Sequence, residues 1–288
     1  DLPGILRNAP LSSLFWTYTF GVLWGVGGLT FGLSMRYLGL SLGYAIALGF
    51  CAAFGTIIPP LFRAELVSMA AKLSGQVTLL GVAVCLGGIV LCGWAGMRKE
   101  RELTPEAKTA SIQEFSFIKG LWVAVFAGVM SACMAFAFAA GKPISDAALD
   151  AYAPKIFTNL PVLIVALLGG FTTNAVWCVF LNAKNGTFRN YRDAGDDSLL
   201  VNYLCAAIAG ITWYLQFFFY GMATTQMGLY DFSSWTIHMA FIIAFSNLWG
   251  LYFREWKGAR RKTIAAVAWG IAVLILSTIV VGVGNYLA

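Results

Sequence analysis

Asp231, Ser234, Trp235 and His238 stand at i, i+3, i+4 and i+7, a spacing that puts all four on one face of a helix. His238 is the only histidine in 288 residues. Just upstream, Trp213, Gln216 and Tyr220 recur every three or four residues and share a helical face of their own. Imidazole, amide and hydroxyl groups beside aromatic rings suit a neutral polyol, whose C–H face the rings cover while the polar groups take its hydroxyls. An imidazole also titrates at an unperturbed pKa of about 6.5, so His238 is a candidate for handling a coupling proton. Asp231 is the other candidate, either facing the same path or capping the helix that follows it. Asn174, midway along another apolar run, is a weaker addition to the sugar-contacting set. Each residue also has a plain role open to it. His238 can be satisfied by one interhelical hydrogen bond, Gln216 can be glue between helices, and the rings can be packing or an interfacial belt.

Other chemistries find no support. The sequence has no Walker loop, dinucleotide fingerprint, G-x-S-x-G or metal-ligand cluster, so no cofactor or metal is expected and the chain does not read as an enzyme. Its six cysteines lie inside apolar runs with no C-x-x-C pair, which argues against disulfides and zinc. No Asp, Glu, Lys or Arg falls in the middle of a run, unusual for a machine that pumps charge.

The elements that carry these residues follow from composition. The chain is 59% hydrophobic and only 11% charged, with a mean hydropathy of +0.77. A soluble chain carries about a quarter charged residues. Runs near 11–33, 38–62, 75–96, 118–140, 154–182, 198–224, 231–253 and 262–288 each have the roughly 20 residues that a membrane span needs. The expected fold is therefore an all-α polytopic bundle with eight visible transmembrane helices.

The net charge of +6 is explained by topology and not by a nucleic-acid partner. Alternating connections put fourteen Lys and Arg on one side and five on the other: Arg7, Arg63, Lys72, Lys142 and Lys155. The positive-inside rule makes the richer side cytoplasmic, so both visible termini face the periplasm. On that topology His238 lies about 10 Å below the outer surface and Gln216 about 12 Å, at matching depth on adjoining helices.

A weak internal repeat refines this. Setting Trp24 on Trp213 also aligns Gly32 with Gly221, Gly39 with Gly228 and Leu40 with Leu229. Those runs are five spans apart, so the copies are inverted across the membrane, as in many secondary transporters. The first three visible spans then pair with the last three, and the fourth and fifth lack counterparts. The expectation is a five-plus-five inverted repeat of ten helices, seen without its first two. Residues 1–117 are the remainder of the first repeat with a cytoplasmic loop, and 118–288 are the second repeat, all in one membrane domain. Gly21-x-x-x-Gly25, Gly28-x-x-x-Gly32 and Gly39-x-x-x-Gly43 read as close helix contacts. Pro59-Pro60 reads as the end of the second span.

The strings "GLSMRYLGLSLGYAIALG", "SACMAFAFAAGKPI", "WYLQFFFYG", "SSWTIHMAF" and "REWKGARRK" resemble the L-rhamnose–proton symporter family of the drug/metabolite transporter superfamily. The resemblance covers essentially the whole visible chain. It implies ten transmembrane helices and proton-driven uptake of a 6-deoxy sugar across a bacterial inner membrane. The partners are then a small neutral sugar, most simply L-rhamnose, a coupling proton and the bilayer. Gln216, His238, Trp213, Trp235, Tyr220 and Asn174 are the expected sugar-lining set. A transporter of another sugar or small metabolite, and a membrane sugar sensor that does not translocate, remain the alternatives. Oligomeric state is left open.

Overall fold

The computed structural model describes residues 2–38, 40–62, 64–102, 116–193, 198–253 and 256–288. Gly39 of the repeat and of the third glycine pair lies outside the described residues, as do Arg63, Lys108 and Arg254 of the charge tally and most of the loop 97–117. The described chain is helical throughout. α1 (Leu2–Asn8) leads into α2 (Leu11–Leu38), α3 (Leu40–Phe62), a short α4 (Leu66–Ala70) and α5 (Leu73–Glu102). α6 (Phe117–Ala140) bends at Gly141 into α7 (Lys142–Asp150). Then come α8 (Leu160–Asn185), α9 (Leu199–Thr224), α10 (Ser233–Tyr252) and α11 (Arg261–Tyr286).

Apolar runs of this length become helices because hydrocarbon offers no partners for backbone groups, and only internal bonding satisfies them. Six helices, α3, α5, α6, α8, α9 and α11, are long and apolar enough to cross a membrane. The protein is thus a polytopic helical membrane protein. The sequence runs number eight. The remaining two, α2 and α10, have 28 and 20 residues but are less apolar. Ser13, Thr17 and Ser34 of α2, and Ser233, Ser234 and Thr236 of α10, are buried within the protein.

Close approach of backbones holds the bundle. Thr78 faces Gly284, Gly81 faces Val281, Gly88 faces Leu274 and Cys92 faces Gly270. One set of numbers rises as the other falls, so α5 and α11 are antiparallel along a seam of small residues. α2 lies against both α6 and α8. Gly27 packs on Ser131 of α6, while a Cβ at Gly21 or Gly25 would strike the α8 backbone at Ala166 or Gly170. Thr173 ties the same crossing by donating to the Val22 carbonyl at 2.9 Å. Gly28 and Gly32 differ from the expectation, because a Cβ at either would meet open space.

Pro59-Pro60 does not end α3, which runs through both prolines to Phe62. Each proline only withholds one N–H, a loss tolerable near a helix end. The carbonyls of Gly55 and Thr56 lose their usual i+4 donors in consequence. α9 stands apart from the rest: every residue from Leu200 to Leu215 is exposed.

Candidate functional site

The aromatic residues of α9 and α10 meet where these helices come together. Tyr220 and Trp235 are both buried and pack edge to face at 5.6 Å. Phe138 of α6 meets Tyr220 edge-on at 5.2 Å. The Trp235 indole donates to the Cys51 carbonyl of α3 at 3.1 Å. It can lie that close because the facing residue is Gly55, whose missing side chain leaves the space the ring occupies. Beside them Thr56 and Thr236 share a buried hydrogen bond of 2.8 Å, which locks α3 to α10.

Trp235, Tyr220 and Phe138 form the apolar wall of a cavity of about 260 Å³. That is near the lower end of small-molecule pockets, about 300 Å³, and fits a monosaccharide better than a larger ligand. Its polar wall includes Asp231, Asn159, Thr224, Lys142, Asp146 and Lys155. Gly55 and Pro59, a residue and the proline that withholds its i+4 donor, line it as well. Lys142 and Asp146 approach to 3.9 Å and stay largely exposed. Asn159 donates to the Gly221 carbonyl at 3.2 Å, fixing the end of α9. Tyr220, Ser234 and Thr224 form a hydroxyl chain, with 3.2 Å from Tyr220 to Ser234 and 3.4 Å from Thr224 to Ser234.

Asp231 does not cap α10. The residue at the cap is Phe232, a short 3₁₀ turn at Gly228–Tyr230 precedes it, and Asp231 lines the cavity. His238 and Gln216 lie elsewhere. They share a mostly apolar groove of about 450 Å³ between α9 and α10, with Tyr220 common to both spaces. The His238 ring sits 4.8 Å from Tyr220, 5.6 Å from Trp235 and 6.0 Å from Phe217. Its Nε2 is buried with no hydrogen-bond partner among the described residues. Such an atom costs free energy unless something reaches it.

Of the residues singled out from sequence, the structure therefore brings Asp231, Trp235 and Tyr220 to one cavity and Gln216 and His238 to its rear. Trp213 is half exposed and stacks on Trp24 at 5.5 Å. Asn174 is exposed and donates to the Gly170 carbonyl of its own helix at 2.8 Å. Neither is among the residues lining the cavity or the groove. Phe138, Asn159, Thr224 and Asp146 are additions that sequence reasoning missed. The string containing Phe138 stood out, and the double proline marked the irregular α3 end, but neither says what it faces.

The comparisons with known proteins identify the family. The family model described as L-rhamnose-proton symport protein (RhaT) matches residues 5–286. The chain belongs to this family. An L-rhamnose-proton symporter of Cronobacter sakazakii (strain ATCC BAA-894) is 36% identical over 287 residues, covering 99% of this chain and 82% of that protein. One from Yersinia pestis (strain Pestoides F) is also 36% identical, over 280 residues, 95% of this chain and 79% of that protein. No solved structure matches. Family and apolar helices together make this a bacterial inner-membrane protein, a transporter and not an enzyme.

Proposed function

We propose that this protein imports L-rhamnose together with a proton, binding the sugar in the cavity walled by Trp235, Tyr220 and Phe138. The observation that carries this is the pairing of three aromatic residues with Asp231, Asn159 and Thr224 around one monosaccharide-sized space. The rings cover the apolar face and the methyl group of a 6-deoxy sugar, and the polar wall takes its hydroxyls. Asp231 is the favoured proton carrier, because it is a carboxylate at the cavity that holds the sugar. His238 is the second, because its buried Nε2 has no hydrogen-bond partner among the described residues and its ring packs near both Tyr220 and Trp235.

Two substitutions separate these roles. Asp231→Asn keeps shape and removes charge, so exchange of labelled L-rhamnose across proteoliposomes should persist while proton-driven accumulation is lost. His238→Gln keeps a donor and an acceptor but cannot titrate, and should leave accumulation intact. If the pH dependence of uptake between about pH 5.5 and 8 flattens in His238→Gln alone, the imidazole is the carrier. If the wild-type protein binds the sugar yet never exchanges it, the sensor reading replaces the transporter.

The same reading includes an inverted repeat, in which α2, α3 and α5 correspond to α9, α10 and α11. In its support, Trp24 and Trp213, the pair that defines the repeat, stack on each other. Gly81 and Gly270 stand at the same offset, and each admits the opposite helix of the α5–α11 seam. α2 is covered by α6 and α8 while α9 is exposed, so the symmetry calls for two further spans against α9 in a ten-helix molecule. The cavity then opens to the periplasm and the basic loops lie in the cytoplasm.

A further inference from the structure

A second cavity, of about 290 Å³, lies at the other end of the same two helices. The first uses the end of α3, at Gly55 and Pro59, and the start of α10, at Phe232 and Trp235. The second uses the start of α3, at Tyr44 and Ala45, and the latter half of α10. α3 and α10 run in opposite directions, so the two cavities are stacked along one seam. Between them lies a buried plug. Trp235 is bonded to the Cys51 carbonyl, and Cys51, Met239, Ala240 and Ile243 are all nearly inaccessible.

The second cavity repeats the aromatic and polar chemistry of the first. Among the described residues that line it, which include Tyr44, Ser246, Asn247, Trp249 and Trp256, there is no Asp, Glu, Lys or Arg. Ser246 and Asn247 both donate to the Ile243 carbonyl, at 3.0 and 2.8 Å. Those bonds use the hydroxyl proton of one and the amide nitrogen of the other, leaving two oxygens able to accept. Acceptor oxygens beside indole and phenol rings suit a ligand that is neutral, rich in hydroxyls and apolar on one face. Trp256 is 4% exposed and held from outside the cavity by the Lys99 ammonium, 5.2 Å from its ring.

We propose that this second cavity is a sugar-binding station on the cytoplasmic side, occupied after the sugar passes Trp235 and before release. It rests on the transport reading above and adds the residues of the release side. Labelling of thiols in the two cavities tests it, read peptide by peptide by mass spectrometry so that the remaining cysteines do not interfere. N-ethylmaleimide is applied to purified protein carrying Ser246→Cys or Thr224→Cys, with and without saturating L-rhamnose. The expected result is that the sugar slows labelling at both positions, by several-fold, while labelling of exposed Cys205 on α9 is unchanged. Asn247→Cys, on the same wall, gives the same reading should Ser246→Cys fail to fold. Protection at Thr224→Cys with none at Ser246→Cys or Asn247→Cys overturns the second station and leaves the transport reading standing. Protection at neither cavity removes both. As an independent measure, Asn247→Leu should slow exchange of labelled sugar several-fold while sugar affinity at the outer cavity, read by thermal shift, stays within about twofold. Exchange at the wild-type rate in that variant overturns the proposal.

Discussion

Trp235 joins three tasks in one side chain: it walls the cavity, hydrogen-bonds α3 and separates the two spaces along the seam. Its position depends on Gly55, since any Cβ there would lie inside the indole. Trp235→Phe keeps a ring but removes the N–H and part of the stacking surface. The expected loss in sugar affinity is about 1–2 kcal/mol, or roughly five- to thirtyfold in Kd, measured by ligand-induced thermal shift. Membrane insertion should be unaffected, because phenylalanine is at home among these residues. An unchanged Kd would mean that the indole is packing alone and that the sugar lies elsewhere.

At the level of elements, the α5–α11 pair behaves as one unit. Small residues bring the backbones together along its length, and a polar clasp closes the end near the basic loops. Glu102, the last residue of α5, accepts from the Arg260 backbone N–H at 2.7 Å and the Thr263 hydroxyl at 2.8 Å. It thereby satisfies donors at the start of α11 as an N-cap would. The Arg260 N–H, then the Thr263 hydroxyl and the charges of Arg260 and Arg98, hold its carboxyl below the ordinary glutamate value of 4.5. A lowered folded-state pKa means that the clasp stabilises fully above about 4.5 and is lost as pH falls through the lowered value. Glu102→Gln should therefore lower the Tm at pH 7, and its deficit should shrink as the pH is taken below 4.5. A deficit that stays constant through the acid range would show that charge at this position adds nothing.

For the whole molecule, two stacked cavities at opposite ends of one helix pair suit a path that is open on one side at a time. The α5–α11 seam, with few side chains to rearrange, is suited to stay fixed while α3 and α10 shift about the Trp235 plug. This arrangement has a fixed sidedness that can be measured. A fusion to Ala288 should place alkaline phosphatase in the periplasm, where it is active, and green fluorescent protein should be dark there when exported unfolded. A fluorescent C-terminal fusion with inactive phosphatase would reverse the topology and turn the cavity of Trp235 toward the cytoplasm.

The sequence by itself determined the class of molecule, most helix positions and the family. Apolar run length and the need to bond every backbone group in lipid leave few alternatives. It also determined that Ser234, Trp235 and His238 share a broad helical face, since that follows from 3.6 residues per turn. What it left undetermined is which neighbour each residue meets. Trp235 and His238 point about 60° apart around α10, enough to put one on the cavity beside Asp231 and the other behind Tyr220. Which side is which depends on where α3, α6 and α9 pack, and periodicity within one helix contains no such information. The same holds for Trp213 and Asn174, whose types suit a sugar but whose faces turn to Trp24 and to the Gly170 carbonyl. Asn159 and Phe138 entered the site through contacts between distant segments. Only the tertiary packing could bring those residues to the same wall.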